Sequence, residues 1–312
     1  MNEAMYAHAL MGAVAVIFDA AGRVLLVKQT YGDCNWALPG GYMEPHESIV
    51  ETAVREVREE TGLQVVADRM SGIYYGQQRD FHHFVFLCHT VGAAAEPRPC
   101  SSEVAACTYW PTDALPHPMN DLTKRFIRDA GAVEGTPALP VIVASRSWPK
   151  RVETSRRRLV ALAVMFNADG QVLLVKHTYG GRYWAYPGGF VEPQESITAA
   201  AVRETWEETG LHVVAERLCG MYYSVELNSH IFVLICRSID GSDPPTPCSP
   251  EVSDCGYWSP DDLPEPMHDA GIRFLRDAVS GRPCTLPVTI RPGRWLEAET
   301  PQDCTPGCQA EN

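Results

Sequence analysis

The sequence predicts an α/β protein built as two consecutive domains, each a mixed sheet between helices. Three observations carry this. At 312 residues, two domains are the default expectation, and 45% hydrophobic residues give each half apolar material for its own core. The chain also repeats itself: Gly12 to Ala130 aligns without a gap with Val160 to Ala278, at a constant offset of 148. The offset then falls to 147, so that Leu139-Pro140-Val141 meets Leu286-Pro287-Val288 and Trp148 meets Trp295. Finally, strand-like and helix-like stretches alternate in the same order in both copies. A repeat of this length is a whole domain rather than a solenoid unit. The expected domains are 1–149 and 150–296, folding separately about a cleavable joint at Pro149–Arg158. The polar, proline-containing tail 297–312 is expected to be disordered.

Taken in order, Ala9–Phe18 is a ten-residue apolar run. No basic segment precedes it, and its counterpart Val160–Phe166 lies mid-chain, so both read as buried strands rather than a signal core. Val14–Phe18 and Val24–Lys28 flank Ala20-Ala21-Gly22 and predict a hairpin. Trp36–Gly40 leads into a loop, and a helix follows. Ser48 with Glu51 is a capping-box pair, Gly62 sits at a left-handed helix end, and Ile49, Val50, Ala53, Val54 and Val57 recur at helical spacing. Val65–Tyr75, Phe84–His89 and Val104–Trp110 are strand-like, and Pro118–Ala130 predicts a second helix with Phe126 on its inner side.

Glu56, Glu59 and Glu60 are related by three and four residues, so they project within roughly 100° of one another on the helix. Like charges so close destabilise a bare helix by a few tenths of a kcal/mol per pair. A hard divalent cation, which takes oxygen ligands, would offset that. A solvated acidic face is the plainer reading, but the second copy rewrites many neighbours and retains Arg203, Glu204, Glu207 and Glu208.

Gly41, Glu47 and Arg55-Glu56-Val57-Arg58-Glu59-Glu60-Thr61-Gly62-Leu63 resemble the box of the Nudix hydrolases. Gly189, Glu195, Arg203-Glu204, Glu207-Glu208 and Gly210-Leu211 resemble it again, with Thr205 replacing the usual aliphatic residue. The resemblance implies two tandem Nudix α/β/α sandwich domains. It implies an enzyme in which water attacks a substituted diphosphate, with Mg²⁺, or Mn²⁺ in its place. The implied metal ligands are Glu56, Glu59, Glu60 and the Gly40 carbonyl, then Glu204, Glu207, Glu208 and the Gly188 carbonyl. Arg55 and Arg203 would orient the glutamates as planar donors. Glu59 and Glu207 count among the catalytic carboxylates, and Glu103 and Glu251, in equivalent loops, are candidate bases or further ligands.

The copies part at the candidate substrate strip. Tyr74, Tyr75 and His82 correspond to Tyr222, Tyr223 and His230, whereas Arg79 has no counterpart in the second copy. Packing is the more frequent role for such tyrosines and histidines. Three differences predict that the first site is the better catalyst: its complete capping box, the buried Thr205 hydroxyl of the second copy, and Arg79.

Formal net charge is −13, with 12 Lys/Arg against 17 Asp/Glu in residues 1–150 and 14 against 22 in the rest. Neither half is basic, which argues against nucleic acid as a partner and for a small diphosphate met by metal ions. No run approaches the roughly 18 apolar residues of a membrane span, so a cytoplasmic protein without membrane contact is expected. Eleven cysteines include the aligned pairs Cys88/Cys236, Cys100/Cys248 and Cys107/Cys255. Their spacing is not that of a familiar zinc site, and free thiols are expected, with a bridge within each Cys100/Cys107-type pair left open. Three functions remain: hydrolysis of a nucleoside diphosphate linked to another group, hydrolysis of an isoprenoid-type diphosphate, and a nucleotide-sensing module with little turnover. Both boxes keep every carboxylate, which argues against the sensing module, and an aromatic and aliphatic pocket without base-reading polar groups would favour the isoprenoid-type substrate over the leading nucleoside one. Oligomeric state is not legible.

Overall fold

The computed structural model describes residues 9–92, 96–132, 141–143, 156–239, 244–281, 288–291 and 294–296. The first repeat runs β1 (Ala9–Ile17), β2 (Val24–Gln29), β3 (Trp36–Ala37), β4 (Gly40–Tyr42), α1 (Ile49–Thr61), β5 (Val65–Gly76), β6 (Phe81–Thr90), β7 (Val104–Trp110), α2 (Asp121–Gly131) and β8 (Val141–Val143). The second follows the same order: β9 (Arg156–Met165), β10 (Val172–His177), β11 (Trp184–Ala185), β12 (Gly188–Phe190), α3 (Ile197–Thr209), β13 (Val213–Ser224), β14 (Ser229–Ser238), β15 (Val252–Trp258), α4 (Asp269–Ser280) and β16 (Val288–Arg291). A last strand, β17 (Arg294–Leu296), folds back on β16. The cleavable joint falls mostly, and the tail wholly, outside the described residues.

Each repeat is an α/β/α sandwich. In the first, Ile49, Ala53 and Val57 of α1 pack on one face of the mixed sheet with Ala13, Ala15 and Phe84. Phe126 and Ile127 of α2 pack on the other with Val14, Val16 and Tyr74. Alternate residues of β1 thus face opposite helices, the period-two consequence of a strand covered on both sides. The expected hairpin is not formed. β1 pairs with β6 in parallel, whereas β2 pairs with β3 and β7 in a separate antiparallel sheet, and only a Phe18–Val24 bridge links the two strands. The Asp19 carboxylate accepts the N–H groups of Ala21 and Arg23, both at 2.9 Å. That turn sends the chain out of the first sheet, and both strands become buried. Each repeat therefore carries two sheets where one was expected.

The halves also do not stand apart. β4 covers β1 only from Gly12 to Val14, which leaves the start of β1 with an open edge. That edge is taken by β9, with Ala9 opposite Arg157 and Leu10 opposite Arg156, giving one sheet of eleven strands. One hydrophobic cluster runs across the join, and the equivalent rings Phe84 and Phe232 stack at 5.7 Å. An unpaired edge and an apolar face are both unfavourable in water, and each repeat closes the other's.

Among the described residues, no helix is long and apolar enough to cross a membrane. The eight described cysteines are free thiols, Cys100, Cys107, Cys248 and Cys255 among them.

Candidate active site

The site is built on the C-terminal half of a helix that starts firmly. Ser48 Oγ accepts from Glu51 N while Glu51 Oε2 accepts from Ser48 N, so the capping box is closed. In α3 only the first bond exists, from Ala199 N to Ser196 Oγ, as the sequence predicts. At the far end Gly62 and Gly210 take left-handed φ of 73° and 72° and stop the helices.

Arg55 is the hub of the first site. Its Nε donates to Glu47 Oε1 at 2.8 Å, Nη1 to Glu56 Oε1 at 2.8 Å and to Glu59 Oε2 at 3.2 Å. Nη2 donates to Glu47 Oε2 and to the Tyr42 carbonyl, both at 3.0 Å. Arg203 repeats every bond with Glu195, Glu204, Glu207 and the Phe190 carbonyl, at 2.8–3.0 Å. Burial works against the Arg55 charge, but Glu47 and Glu56 outweigh it and hold the guanidinium pKa above its ordinary value. Glu47, itself held by Thr52 Oγ1, is the anchor of this hub and carried no role in the sequence-based assignment.

The last glutamate of each box turns inward. Glu60 Oε2 accepts from Gly40 N at 3.0 Å and Glu208 Oε2 from Gly188 N at 2.9 Å. Burial pushes each carboxyl up to about 8, with Glu56 or Glu204 adding to the rise and the glycine N–H opposing it. Glu56 and Glu204 are raised as well, chiefly by burial. Glycine is required at the approach. A Cβ on Gly40 would strike the Ala13 carbonyl and sit 2.7 Å from Val14 Cα, and one on Gly41 would run into the Glu56 carboxylate.

The loop glutamates join this group. The Glu103 carbonyl accepts from Thr30 N at 2.9 Å and that of Glu251 from Thr178 N at 2.8 Å. Their charges contribute to the rise at Glu60 and Glu208 respectively, so each carboxylate lies within electrostatic reach of its box. Tyr31 belongs here too. Burial raises its hydroxyl, and Glu60, Glu103 and Glu56 raise it further. Nothing in the local pattern around Tyr31 singles it out.

Among the described residues, no three His, Cys, Asp or Glu side chains stand together as a ready-made metal cage. Carboxylate oxygens of Glu56 and Glu59 are turned to Arg55, and one of Glu60 to Gly40. The donor chemistry nevertheless fits a hard divalent cation: all the candidates offer oxygen, and a cation would relieve the burial of like charge that raises Glu60.

The structure does not bring the tyrosines and histidines of the substrate strip to this surface. Tyr74 and Tyr222 are buried, donate to Asp129 and Asp277 at 2.6 Å, and lie against Phe126 and Phe274. Tyr75 and Tyr223 donate to Asp80 and Asn228 at 3.0 Å and cover the buried rings of His82 and His230. Helices α2 and α4 cover the face that holds Tyr74 and Tyr222, whereas Tyr75, His82, Tyr223 and His230 are buried on the opposite face, where His230 meets Ile49 of the other repeat. Arg79 is different: it lies in a single helical turn, Gln77–Arg79, and its charge opposes the burial-driven rise of the Tyr42 hydroxyl. The second repeat, lacking an equivalent arginine, carries Arg158 of β9 over the Phe190 ring at 6.0 Å. A cation thus stands by the matching ring in both. The Thr205 hydroxyl is not unpaired either; it donates to the Ala201 carbonyl at 2.7 Å, so the expected cost at that site does not arise.

The NUDIX domain family model matches residues 9–130 and again 156–278. The chain belongs to the NUDIX family. Similar to this Nudix chain are a MutT-like protein of Streptomyces ambofaciens, 29% identical over 43% of this chain and 86% of that protein, and the mouse 8-oxo-dGDP phosphatase NUDT18. The latter is 26% identical over 67% of this chain and 64% of its own length. Phosphatase NudJ of Escherichia coli is 27% identical over 33% of this chain and 70% of that one. Among solved structures, an ADP-ribose pyrophosphatase of Streptococcus suis is 27% identical, covering 40% of this Nudix chain and 95% of its own, with a TM-score of 0.35.

Proposed function

We propose that this Nudix chain is a divalent-metal-dependent pyrophosphohydrolase with two competent sites, acting on a nucleoside diphosphate linked to another group. The observation that carries this reading is the arginine hub, repeated bond for bond in two sequences that otherwise diverge. The mouse relative's name, 8-oxo-dGDP phosphatase, supports a substrate of the nucleoside diphosphate class. The domains run 1–149 and 150–296, and the compartment proposed is the cytoplasm.

Glu56, Glu59, Glu60 and the Gly40 carbonyl would hold Mg²⁺ or Mn²⁺ in the first site; Glu204, Glu207, Glu208 and the Gly188 carbonyl would do so in the second. When bound, the cation neutralises diphosphate oxygens and makes water more acidic. Arg55 and Arg203 keep the carboxylates in one orientation by planar, charge-assisted bonds, so that little rearrangement is needed when substrate arrives. Glu103 and Glu251 take the proton of the attacking water, each from a loop clamped to the residue that follows β2 or β10. Arg79 and Arg158 favour an anionic group of the substrate.

A panel of nucleoside diphosphates (8-oxo-dGDP included), triphosphates, nucleotide sugars, dinucleotides and isoprenyl diphosphates with Mg²⁺ tests this reading. Turnover confined to isoprenyl diphosphates, or absent throughout with fully folded protein, would overturn it.

A further inference from the structure

The two repeats also differ at the C-terminal end of the box helix, beside the carboxylates. In the second repeat a cavity of about 400 Å³ opens there, lined by Trp206, Glu207, Gly210, Cys248, Ser249 and Pro250. Trp206 is 51% exposed, an unusual position for the largest apolar side chain on the polar face of a helix. Its ring lies near-parallel to that of His212 with centroids 6.4 Å apart. The backbone around the cavity is the same in both repeats: Thr246 N donates to the Thr209 carbonyl as Arg98 N does to Thr61, and Cys248 N to Glu208 as Cys100 N does to Glu60. On this shared frame the side chains are exchanged. Trp206 stands where the first repeat has Arg58, and Thr246 where it has Arg98, whose side chain lies against Gly62. The first repeat thus has arginine at both positions, and the second an indole and a threonine.

Resting on the reading of the chain as a diphosphate hydrolase, we infer that Trp206 and the 248–250 loop form a stacking subsite for the aromatic base of the second site's substrate. Glu207 is both a wall of the cavity and a candidate metal ligand, and Glu251 follows Pro250 directly. A diphosphate seated on the carboxylates therefore puts its attached group at the mouth of the cavity. The wall chemistry selects among possible groups. An exposed indole with a mostly apolar loop opposite suits a flat ring, whereas a further phosphate would meet Glu207 and no cation among the lining residues. The first site, with Arg58 and Arg98 in the same places, is suited to a substrate with extra negative charge at that end. The two sites thus divide substrates by what is attached to the diphosphate.

The test uses the full chain with Glu60→Gln, so that turnover reports the second site, and two readouts. Trp206→Ala is expected to raise KM for a nucleoside diphosphate about fivefold to tenfold, from the loss of one base–aromatic stack, with kcat little changed. KM for isopentenyl diphosphate, which has no ring, stays unchanged. Independently of turnover, guanosine monophosphate should quench tryptophan emission in the wild-type chain but not in Trp206→Phe, whereas ribose 5-phosphate should quench neither. Equal quenching by guanosine monophosphate in both proteins, or equal KM changes for ring-bearing and ring-free substrates, would overturn the subsite. If no diphosphate is turned over but the Trp206-dependent quench is present, the hydrolase reading fails and the base-binding subsite stands.

Discussion

Ile49, the first residue of α1, donates its backbone N–H to Nε2 of His230 at 3.2 Å, across the boundary between the two repeats. The first N–H groups of a helix have no partner within it, and Ser48 Oγ is already taken by Glu51 N. A wholly buried imidazole from the other repeat supplies the missing acceptor, which places the Nδ1 proton on a neutral ring. The equivalent His82 has no hydrogen-bond partner on either ring nitrogen. The box helix of the first site is thus steadied by the second repeat, and the relationship is one-sided.

His230→Ala should therefore lower stability by about 1–3 kcal/mol, the cost of an unsatisfied buried donor, and do so more than His82→Ala would through hydrogen bonding. The check is a pair of denaturant titrations with unchanged m-values. Equal losses in the two variants would show that the bond to Ile49 contributes little.

Because the sheet and core run through both repeats, cleavage in the 149–158 joint should leave the fragments together. Size-exclusion chromatography after limited proteolysis is expected to give one peak of uncut size. Two peaks, each folded by circular dichroism, would show that the shared sheet is dispensable.

Turnover should survive in either single variant, Glu60→Gln or Glu208→Gln, and fall at least about a hundredfold in the double variant. Of the three reasons for ranking the first site higher, the capping box alone stands as predicted, since the Thr205 hydroxyl is paired and Arg158 accompanies Phe190. An incomplete cap is worth up to about 1 kcal/mol, so it accounts for less than about a tenfold difference in kcat/KM between the two sites. A much larger gap that persists on every substrate, whatever group the diphosphate carries, would mean that one site is idle.

Gly41→Ala should separate fold from function. The added Cβ meets the end of the Glu56 side chain rather than backbone, so the carboxylate can swing away. Stability should change by less than about 1 kcal/mol, while Mg²⁺ affinity and turnover of the first site fall in a Glu208→Gln background. Calorimetric metal titration reads the first effect, and unaltered metal binding would show that Glu56 is not a ligand.

Without metal, stability should peak in the mildly acidic range. The folded pKa of Glu60 and Glu208, about 8, lies above the ordinary 4.5, so their protonated forms favour folding and the benefit is lost as pH rises through about 8. His82 and His83 are depressed from 6.5 to about 3 by burial, so stability present above 6.5 is lost as pH falls toward 3. Melting curves in chelator should fall on both sides, and Mg²⁺ should flatten the alkaline limb alone. An alkaline limb indifferent to Mg²⁺ would detach the glutamates from metal binding.

The sequence by itself determined what is local or repeated. Helix α1 and its caps, β7 at Val104–Trp110 and the tandem plan follow from spacing and self-alignment, because caps and periodicity act within a few residues. The set of glutamates was legible for the same reason: one helical turn brings Glu56, Glu59 and Glu60 to one side. Tertiary structure decided whatever depends on partners far along the chain. It separated β1 and β2 into different sheets, since pairing with β6 and β7 buries both strands more completely than pairing with each other. It buried the tyrosines and histidines of the expected substrate strip, Tyr74 and Tyr222 under α2 and α4 and the others on the opposite face of the sheet. It also brought Tyr31 to the carboxylates and Arg158 to Phe190 within their own repeats, and His230 to Ile49, a contact that exists only once two repeats close on one sheet.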